Sequence, residues 1–191
     1  MSDDFQIVDN IFFRDGLAYA PSSNTPFTGC AIKNYNNGKM HAKTFFKKGI
    51  PHGQHEEYHK NGLLKHKVRF KNGIEDGPEE KYYEDGKLFI SAKYKNGEME
   101  GKFIKYWKNG NLWLKYNMKN GEQDGSSETY YENGQLAQKC NVRENSIAPG
   151  HVEEYWDNGQ LKEKYYLTKD WSTKNSERYN KDGTPFDIYK K

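Results

Sequence analysis

Apolar and polar residues alternate along the chain in short segments, and most of these segments end at a turn that contains glycine. Alternation with a period of two is typical of a β-strand that buries one face, whereas an amphipathic helix needs an apolar period near 3.6 residues. No stretch of the sequence sustains that helical period. The pattern therefore predicts strands joined by tight turns.

The segments belong to an internal repeat. A four-residue motif recurs as YNNG, HKNG, YEDG, WKNG, YENG, WDNG and NKDG, and its glycines are 24 residues apart except for one interval of 25. A fixed period of this length indicates an array of similar structural units. A second glycine leads each full repeat and defines position 1 in repeats 1 to 6: Gly29, Gly53, Gly77, Gly101, Gly125 and Gly150.

Each repeat carries two turn signals of the Asn-Gly kind, and Asn-Gly between β-forming residues is a strong hairpin signal. The predicted fold class is all-β: an elongated, single-sheet antiparallel meander of 24-residue β-hairpin repeats. The repeats cover residues 29–186, as six full copies and a partial seventh. Residues 1–28 contain a degenerate copy, FRDG, and are predicted to cap the array, while residues 187–191 form a C-terminal tail. The segment RENSIAP, 143–149, lacks the usual turn glycine, so a bulged or looped connection is expected there.

The two faces of the sheet follow if each Asn-Gly is a two-residue turn. Positions 3, 5, 7, 12, 14, 16 and 18 then share an apolar face, and positions 4, 6, 13, 15 and 17 share a polar one. Opposed Lys and Glu residues favour a solvated polar face. This face carries tyrosines at Tyr58, Tyr82, Tyr106, Tyr130, Tyr155 and Tyr179, with lysines at Lys43, Lys67, Lys115, Lys139 and Lys164.

A cluster of apolar residues interrupts the polar face. Position 13 is aromatic in repeats 3 and 4, and the two-residue turn would place Phe89 across from Tyr82 and Trp113 across from Tyr106. Aromatic residues inside a polar rim are typical of protein interfaces. Cover by a loop or by sheet curvature is the structural alternative. The predicted partner-binding residues are Trp113, Phe89, Tyr106, Tyr82, Ile104, Lys115 and Lys105.

Composition narrows the function classes. The 30 basic and 27 acidic side chains are spread along the chain, so no basic stripe indicates nucleic-acid binding. No apolar stretch approaches the length of a membrane helix, and the N-terminus lacks the pattern of a signal peptide, so a cytoplasmic location is expected. Cys30 and Cys140 have no metal-ligand spacing and are expected to be reduced structural thiols.

The stretch HEEYH, residues 55–59, matches the H-E-x-x-H signature of zinc proteases. That signature requires a helix, which brings residues i and i+4 together, whereas a strand separates them by roughly 13 Å. HEEYH falls at strand positions of repeat 2, so we predict that His55 and His59 do not share a metal. We expect no catalytic residues, no metal and no cofactor.

The unit G-x-x-x-x-Y-[YW]-x-N-G-x-L followed by K-N-G resembles the MORN-repeat family, in particular the bacterial variant of proteins described as antitoxins and immunity proteins. The resemblance implies a β-hairpin array that binds another protein without catalysis, and it leaves open whether that partner is a toxin. A membrane-surface scaffold that uses the lysines is the first alternative, and a zinc enzyme at HEEYH is the second. The identity of the partner, the binding face and the oligomeric state stay open.

Overall fold

The computed structural model describes residues 6–186, and these residues form strands and turns but no helix. The all-β fold class with repeated antiparallel hairpins is confirmed. The chain divides into two compact units, residues 1–98 and 99–191. The predicted tail, residues 187–191, lies outside the described residues.

The described residues of the N-terminal unit form the strands β1 to β9. From β4 onward, consecutive strands pair antiparallel in chain order, and β1 joins the sheet beside β4 in parallel. The strands are β1 (Gln6–Val8), β2 (Phe12–Arg14), β3 (Leu17–Tyr19), β4 (Gly29–Asn34), β5 (Met40–Lys47), β6 (Ile50–Tyr58), β7 (Leu64–Lys71), β8 (Ile74–Tyr82) and β9 (Leu88–Lys95).

A short strand, β10 (Glu98–Met99), spans the division between the two units. The C-terminal unit is again an antiparallel meander in which neighbouring strands pair in chain order, while the short β15 pairs with β14. Its strands are β11 (Gly101–Tyr106), β12 (Leu112–Lys119), β13 (Glu122–Tyr130), β14 (Leu136–Arg143), β15 (Ser146–Ile147), β16 (Gly150–Tyr155), β17 (Leu161–Leu167) and β18 (Thr173–Arg178).

The turn that links one repeat to the next has the predicted two-residue form after each of the first four repeats. Asn72 and Gly73 both have positive φ, 53° and 83°, and Lys71 pairs with Ile74 across them. Positive φ at both central residues is the signature of a type I′ turn, which asparagine and glycine tolerate best. The same pair of positive φ values occurs at 48–49, 96–97 and 120–121.

The turn inside each repeat differs from the prediction. In repeat 3, Gly86 has φ 85° while Asp85 is outside the positive-φ region, and the Tyr83 amide donates to the Lys87 carbonyl. This is a three-residue loop closed by a glycine, which leaves one extra residue on the following strand. Because Tyr82 pairs with Leu88 and Lys81 with Ile90, that extra residue is Phe89 at position 13.

The side chain at position 9 explains this choice of turn. Asn61 accepts a hydrogen bond from the Leu63 amide through Oδ1, at 2.9 Å, and donates from Nδ2 to the Glu84 carbonyl of the next repeat, at 2.7 Å. An asparagine side chain that hydrogen-bonds to the backbone two residues further along the chain stabilises a turn. Asn109, Asn133 and Asn158 make both of these bonds as well.

The irregular segment 143–149 is more regular than expected. Glu144 and Asn145 have φ of 50° and 62°, and Arg143 pairs with Ser146 across them, so they form the same two-residue turn as the four preceding junctions. Asparagine takes the position of the missing glycine because it tolerates positive φ. The additional residue of this repeat falls after the turn, near Pro149, before β16 begins at Gly150.

Residues 6–28 pack against repeat 1, where the sequence predicts a cap. The β2–β3 hairpin turns at Asp15 and Gly16, and the Ala18 amide donates to the Gly49 carbonyl at 2.9 Å. Ala18 is fully buried in a cluster with Phe27, Ala31 and Phe46.

Buried side chains within the repeats come mainly from positions 3, 16 and 18, as the alternation predicts. Val68 is 1% exposed and Val152 is fully buried. Cys30 and Cys140 are also buried and are not disulfide-bonded, and burial raises the pKa of both thiols. We call the side of the sheet that carries positions 3, 5, 14, 16 and 18 the core face.

Candidate interaction surface

Side chains at positions 7 and 13 of the same repeat stack on each other. The ring centroids of Trp107 and Trp113 are 4.2 Å apart with an interplanar angle of 15°. In repeat 1 the rings of Tyr35 and His41 are 4.3 Å apart and also stacked. The bulge after the turn produces these pairs, because it removes position 13 from the alternation of its strand.

Trp113 lies on the core face of the C-terminal unit. The Lys105 Nζ atom is 3.8 Å from the centroid of the Trp113 ring, which is within cation–π distance. Lys105 pairs with Leu114 and belongs to position 5, whereas Tyr106, the next residue, projects to the other side of the strand. Trp113 and Lys105 are both partly exposed.

The structure therefore separates the seven predicted binding residues onto two faces. The prediction that Trp113 lies across from Tyr106 is wrong, because Tyr106 pairs with Leu112 and Trp113 is the bulged residue. Ile104 pairs with Lys115, and both share the side of Tyr106.

Phe89 and Tyr82 repeat this separation within the N-terminal unit. Phe89 contacts Tyr83, with ring centroids 4.7 Å apart, instead of facing Tyr82. The Tyr82 hydroxyl donates to Glu80 on the opposite face at 2.8 Å. The two-residue turn assumed from the sequence caused both errors, because it gave position 13 the wrong side.

In repeats 1, 2, 4, 5 and 6, the side chain at position 7 also links the repeat to the next one. The indole Nε1 of Trp156 donates to the Tyr179 carbonyl at 3.1 Å, and the Tyr131 hydroxyl donates to the Tyr155 carbonyl at 2.8 Å. The alternation in the sequence assigns these residues to an apolar face. The sequence signal for the hydrogen bonds is that Tyr, Trp and His all carry a donor at the end of a flat ring.

Positions 4, 6 and 15 form the opposite side, which we call the ladder face. Five of its tyrosines donate to the glutamate two residues earlier, as Tyr155 does to Glu153 at 2.9 Å, whereas at Tyr106 that earlier position is Ile104. The Lys115 Nζ atom is 2.7 Å from Glu128, which also accepts a hydrogen bond from Tyr130.

These contacts shift pKa values on the ladder face. Burial, together with the hydrogen bond to Glu80, raises the pKa of Tyr82 to about 12. Burial acts to raise the pKa of Glu128, but the hydrogen bonds from Lys115 and Tyr130 outweigh it, so this pKa is lowered. The ladder face is therefore a network of paired charges.

The first four residues of HEEYH end β6, His59 follows directly after the strand, and the two histidines have separate partners. His55 Nδ1 is 2.8 Å from Thr44 Oγ1, and His59 Nε2 is 3.1 Å from the Tyr82 carbonyl. His66, on the neighbouring strand β7, is not part of the HEEYH motif. His55, Glu57 and His66 together offer three possible metal-ligand atoms that lie within 4.8 Å of one another.

Comparison with protein families identifies the repeats. Segments 51–72, 75–96, 99–120, 123–144 and 149–169 match the family described as the MORN repeat variant, and together they cover more than half of the chain. Comparison with curated proteins gives no match. Within the described residues, no helix has the length and apolar character needed to cross a membrane. MORN repeats are typically interaction modules and are generally non-enzymatic. The repeats, their hairpin structure and the five matched segments show that the chain belongs to the MORN repeat variant family.

Proposed function

We propose that this chain is a non-catalytic module that binds a partner protein, and that Trp113, stacked on Trp107 and covered by Lys105, anchors that partner. The observation that carries this proposal is the partly exposed pair of stacked indoles with a cation 3.8 Å from one ring. Tryptophan and neighbouring cationic side chains are enriched at the centres of protein interfaces.

The repeat does not need an aromatic residue at position 13. The same position holds His41, Lys65, Ala137 and Lys162 in repeats 1, 2, 5 and 6, and each of these repeats forms its hairpin. Only polar or small residues occur there outside repeats 3 and 4. Trp113 thus adds apolar surface beyond what the hairpin requires, which favours a role in binding.

The predicted set of binding residues is revised accordingly. Trp113 and Lys105 stay in the proposed anchor, and Trp107 joins them. In the N-terminal unit, Phe89 on Tyr83 offers a second surface of the same kind. Tyr82, Tyr106, Ile104 and Lys115 lie on the ladder face and are not part of the anchor.

A protein partner accounts for the charges better than a membrane surface does. An anionic membrane attracts lysines that are not neutralised by neighbouring acids. Lys115 and Lys164 lie 2.7 Å and 3.0 Å from Glu128 and Glu177. We therefore expect the purified chain to stay unbound in flotation with anionic vesicles at physiological salt, and flotation with the vesicles would favour the membrane alternative.

The narrower role that we propose is neutralisation of a toxin in the cytoplasm by direct binding. It rests on the resemblance of the repeats to those of bacterial antitoxins and immunity proteins. Co-expression tests it separately from binding itself: the chain should restore growth to cells that express the captured partner, and a captured partner that is harmless to cells would contradict the role.

The binding proposal is tested by affinity capture from an extract of the source organism. The parent chain is compared with Trp113→Ala and with the control Tyr166→Ala. Tyr166 is an aromatic residue of the same unit and is 40% exposed. We expect a protein that the parent and Tyr166→Ala retain and that Trp113→Ala loses while keeping its circular dichroism spectrum. Equal capture by all three folded proteins would remove this site.

A further inference from the structure

A histidine–carboxylate cluster lies on the core face of the N-terminal unit. His55 and Glu57 are two residues apart on β6 and share one side of that strand, and His66 lies on β7, where it pairs with Glu57. His55 Nε2 is 3.6 Å from Glu57 Oε1, and one ligand atom from each of the three residues lies within 4.8 Å of the others. Residues on two adjacent strands thus bring possible ligand atoms close together, whereas His55 and His59 of HEEYH are too far apart along the chain to share a metal ion.

This combination is specific to repeat 2. The cluster occupies positions 3, 5 and 14, where the other five full repeats have Ala31, Lys33 and Ala42; Glu79, Lys81 and Ile90; Phe103, Lys105 and Leu114; Ser127, Thr129 and Gln138; and Val152, Glu154 and Glu163. None of these sets contains three metal-ligating side chains. The repeat fold therefore forms without the cluster.

Each member of the cluster is held by a further side chain. Thr44 Oγ1 lies 2.8 Å from His55 Nδ1, which leaves Nε2 facing Glu57. Lys65 Nζ lies 3.1 Å from Glu57 Oε2.

His66 Nε2 is held in the same manner by a buried carboxylate, because Glu79 Oε1 lies 2.9 Å from it and the Glu79 side chain is 5% exposed. Lys81 Nζ lies 2.9 Å from the same oxygen of Glu79. Metal-binding histidines and carboxylates commonly have such outer partners, which fix the orientation of each ligand.

We infer that His55, Glu57 and His66 form a binding site for a divalent transition-metal ion of the zinc type. Imidazole nitrogens with one carboxylate oxygen are ligands that zinc accepts, and three protein ligands leave a fourth position open to water or to a group from a partner. Ligand atoms around a tetrahedral zinc ion lie about 3.3 Å apart, so the 3.6 Å pair is nearly in place and the wider separations must shorten by up to about 1.5 Å.

Titration of the metal-free chain with Zn²⁺ or Co²⁺ alone tests this site. We expect one equivalent of Co²⁺ to bind, with the intense visible absorption of a tetrahedral complex, and Zn²⁺ to displace it. Zn²⁺ should also raise the melting temperature, because an ion that binds only the folded chain stabilises it. Both effects should disappear in His66→Ala and in Glu57→Gln.

His59→Ala and His151→Ala are the matched controls, because His59 completes HEEYH and His151 lies in the other unit. Both should bind one equivalent like the parent. Glu79→Gln should still bind one equivalent but with an affinity lower by roughly 10- to 100-fold, as expected for loss of an outer partner.

If His66→Ala does not fold, His66→Gln and Glu57→Gln report on the same ligands. Stoichiometric binding that survives in a folded His66 variant would overturn the site. Loss of binding in His59→Ala would instead assign the metal to HEEYH, and the absence of saturable binding in the parent would also overturn the inference.

Discussion

The indole Nε1 of Trp107 donates a 3.1 Å hydrogen bond to the backbone carbonyl of Tyr130, the last residue of the facing strand in the next repeat. Trp156 and Tyr179 are related in the same way, also at 3.1 Å. In repeat proteins, stability is approximately the sum of such contacts between neighbouring repeats and the intrinsic stability of each repeat. Position 7 therefore joins adjacent repeats as well as supporting its own hairpin.

Replacing Trp107 with phenylalanine tests this link. The change keeps an aromatic ring beside Trp113 but removes the donor to the Tyr130 carbonyl. We expect a loss of about 1 kcal/mol in the free energy of unfolding, since a hydrogen bond contributes about 0.5–1.5 kcal/mol net. Chemical denaturation measures the loss. Trp171→Phe is the control, because Trp171 is 63% exposed and should change little; equal effects of the two changes would deny the link.

A substitution at Glu144, in the turn between repeats 5 and 6, is expected to stabilise the chain. This residue has φ 50°, and three of the regular junctions place asparagine at the equivalent position. Positive φ is costly for most L-residues but less so for asparagine. Glu144→Asn should therefore stabilise the chain by about 0.5–1 kcal/mol in chemical denaturation.

Asn145→Ala, one residue later, should destabilise the chain by about 1–2 kcal/mol in the same measurement. The change removes a residue that tolerates φ 62° and also the side-chain oxygen that accepts from the Gln123 amide at 3.0 Å. If Glu144→Asn destabilised the chain instead, the turn at 144–145 would differ from the one described.

The tyrosines of the ladder face predict a loss of stability at high pH. The pKa of Tyr82 is raised from 10.0 to about 12, so the folded chain holds the protonated form more tightly than the unfolded chain does. This stabilisation is complete below pH 10.0 and is lost as the pH rises toward about 12. Thermal unfolding across that interval, with tyrosinate absorbance, measures it.

Tyr82→Phe should make the decline of the melting temperature with pH shallower, because the group that titrates is absent. A decline as steep as that of the parent would mean that Tyr82 contributes nothing to it.

Much of the fold could be predicted because glycine marks the internal turn of all six full repeats and the junction turn of the first four. Gly62 and Gly73 identify two hairpin turns in repeat 2, and alternation between them places Val68 in the core. The type of turn could not be predicted. Asn61-Gly62 and Asn72-Gly73 have the same sequence, but only the second has positive φ at its asparagine. The difference comes from the Asn61 side chain, which bonds Leu63 and the next repeat.

The candidate site was predicted less well for the same reason. One extra residue after the turn moves Trp113 to the side of Lys105 and leaves Tyr106 on the other face. The sequence correctly identified the aromatic residues at position 13 as unusual. The closeness of His66 to His55 could not be predicted because it depends on cross-strand pairing, whereas the HEEYH motif relates residues along one strand.

The proposed surface is tested most directly by the affinity of the captured partner, once purified, for three forms of the chain: the parent, Trp113→Ala on the core face, and Lys139→Glu on the ladder face. Trp113→Ala should weaken binding about thirtyfold, as truncation of a central interface tryptophan typically costs about 2 kcal/mol. Lys139→Glu should leave the affinity close to that of the parent. The reverse result, with binding kept by Trp113→Ala and lost by Lys139→Glu, would contradict the proposed surface.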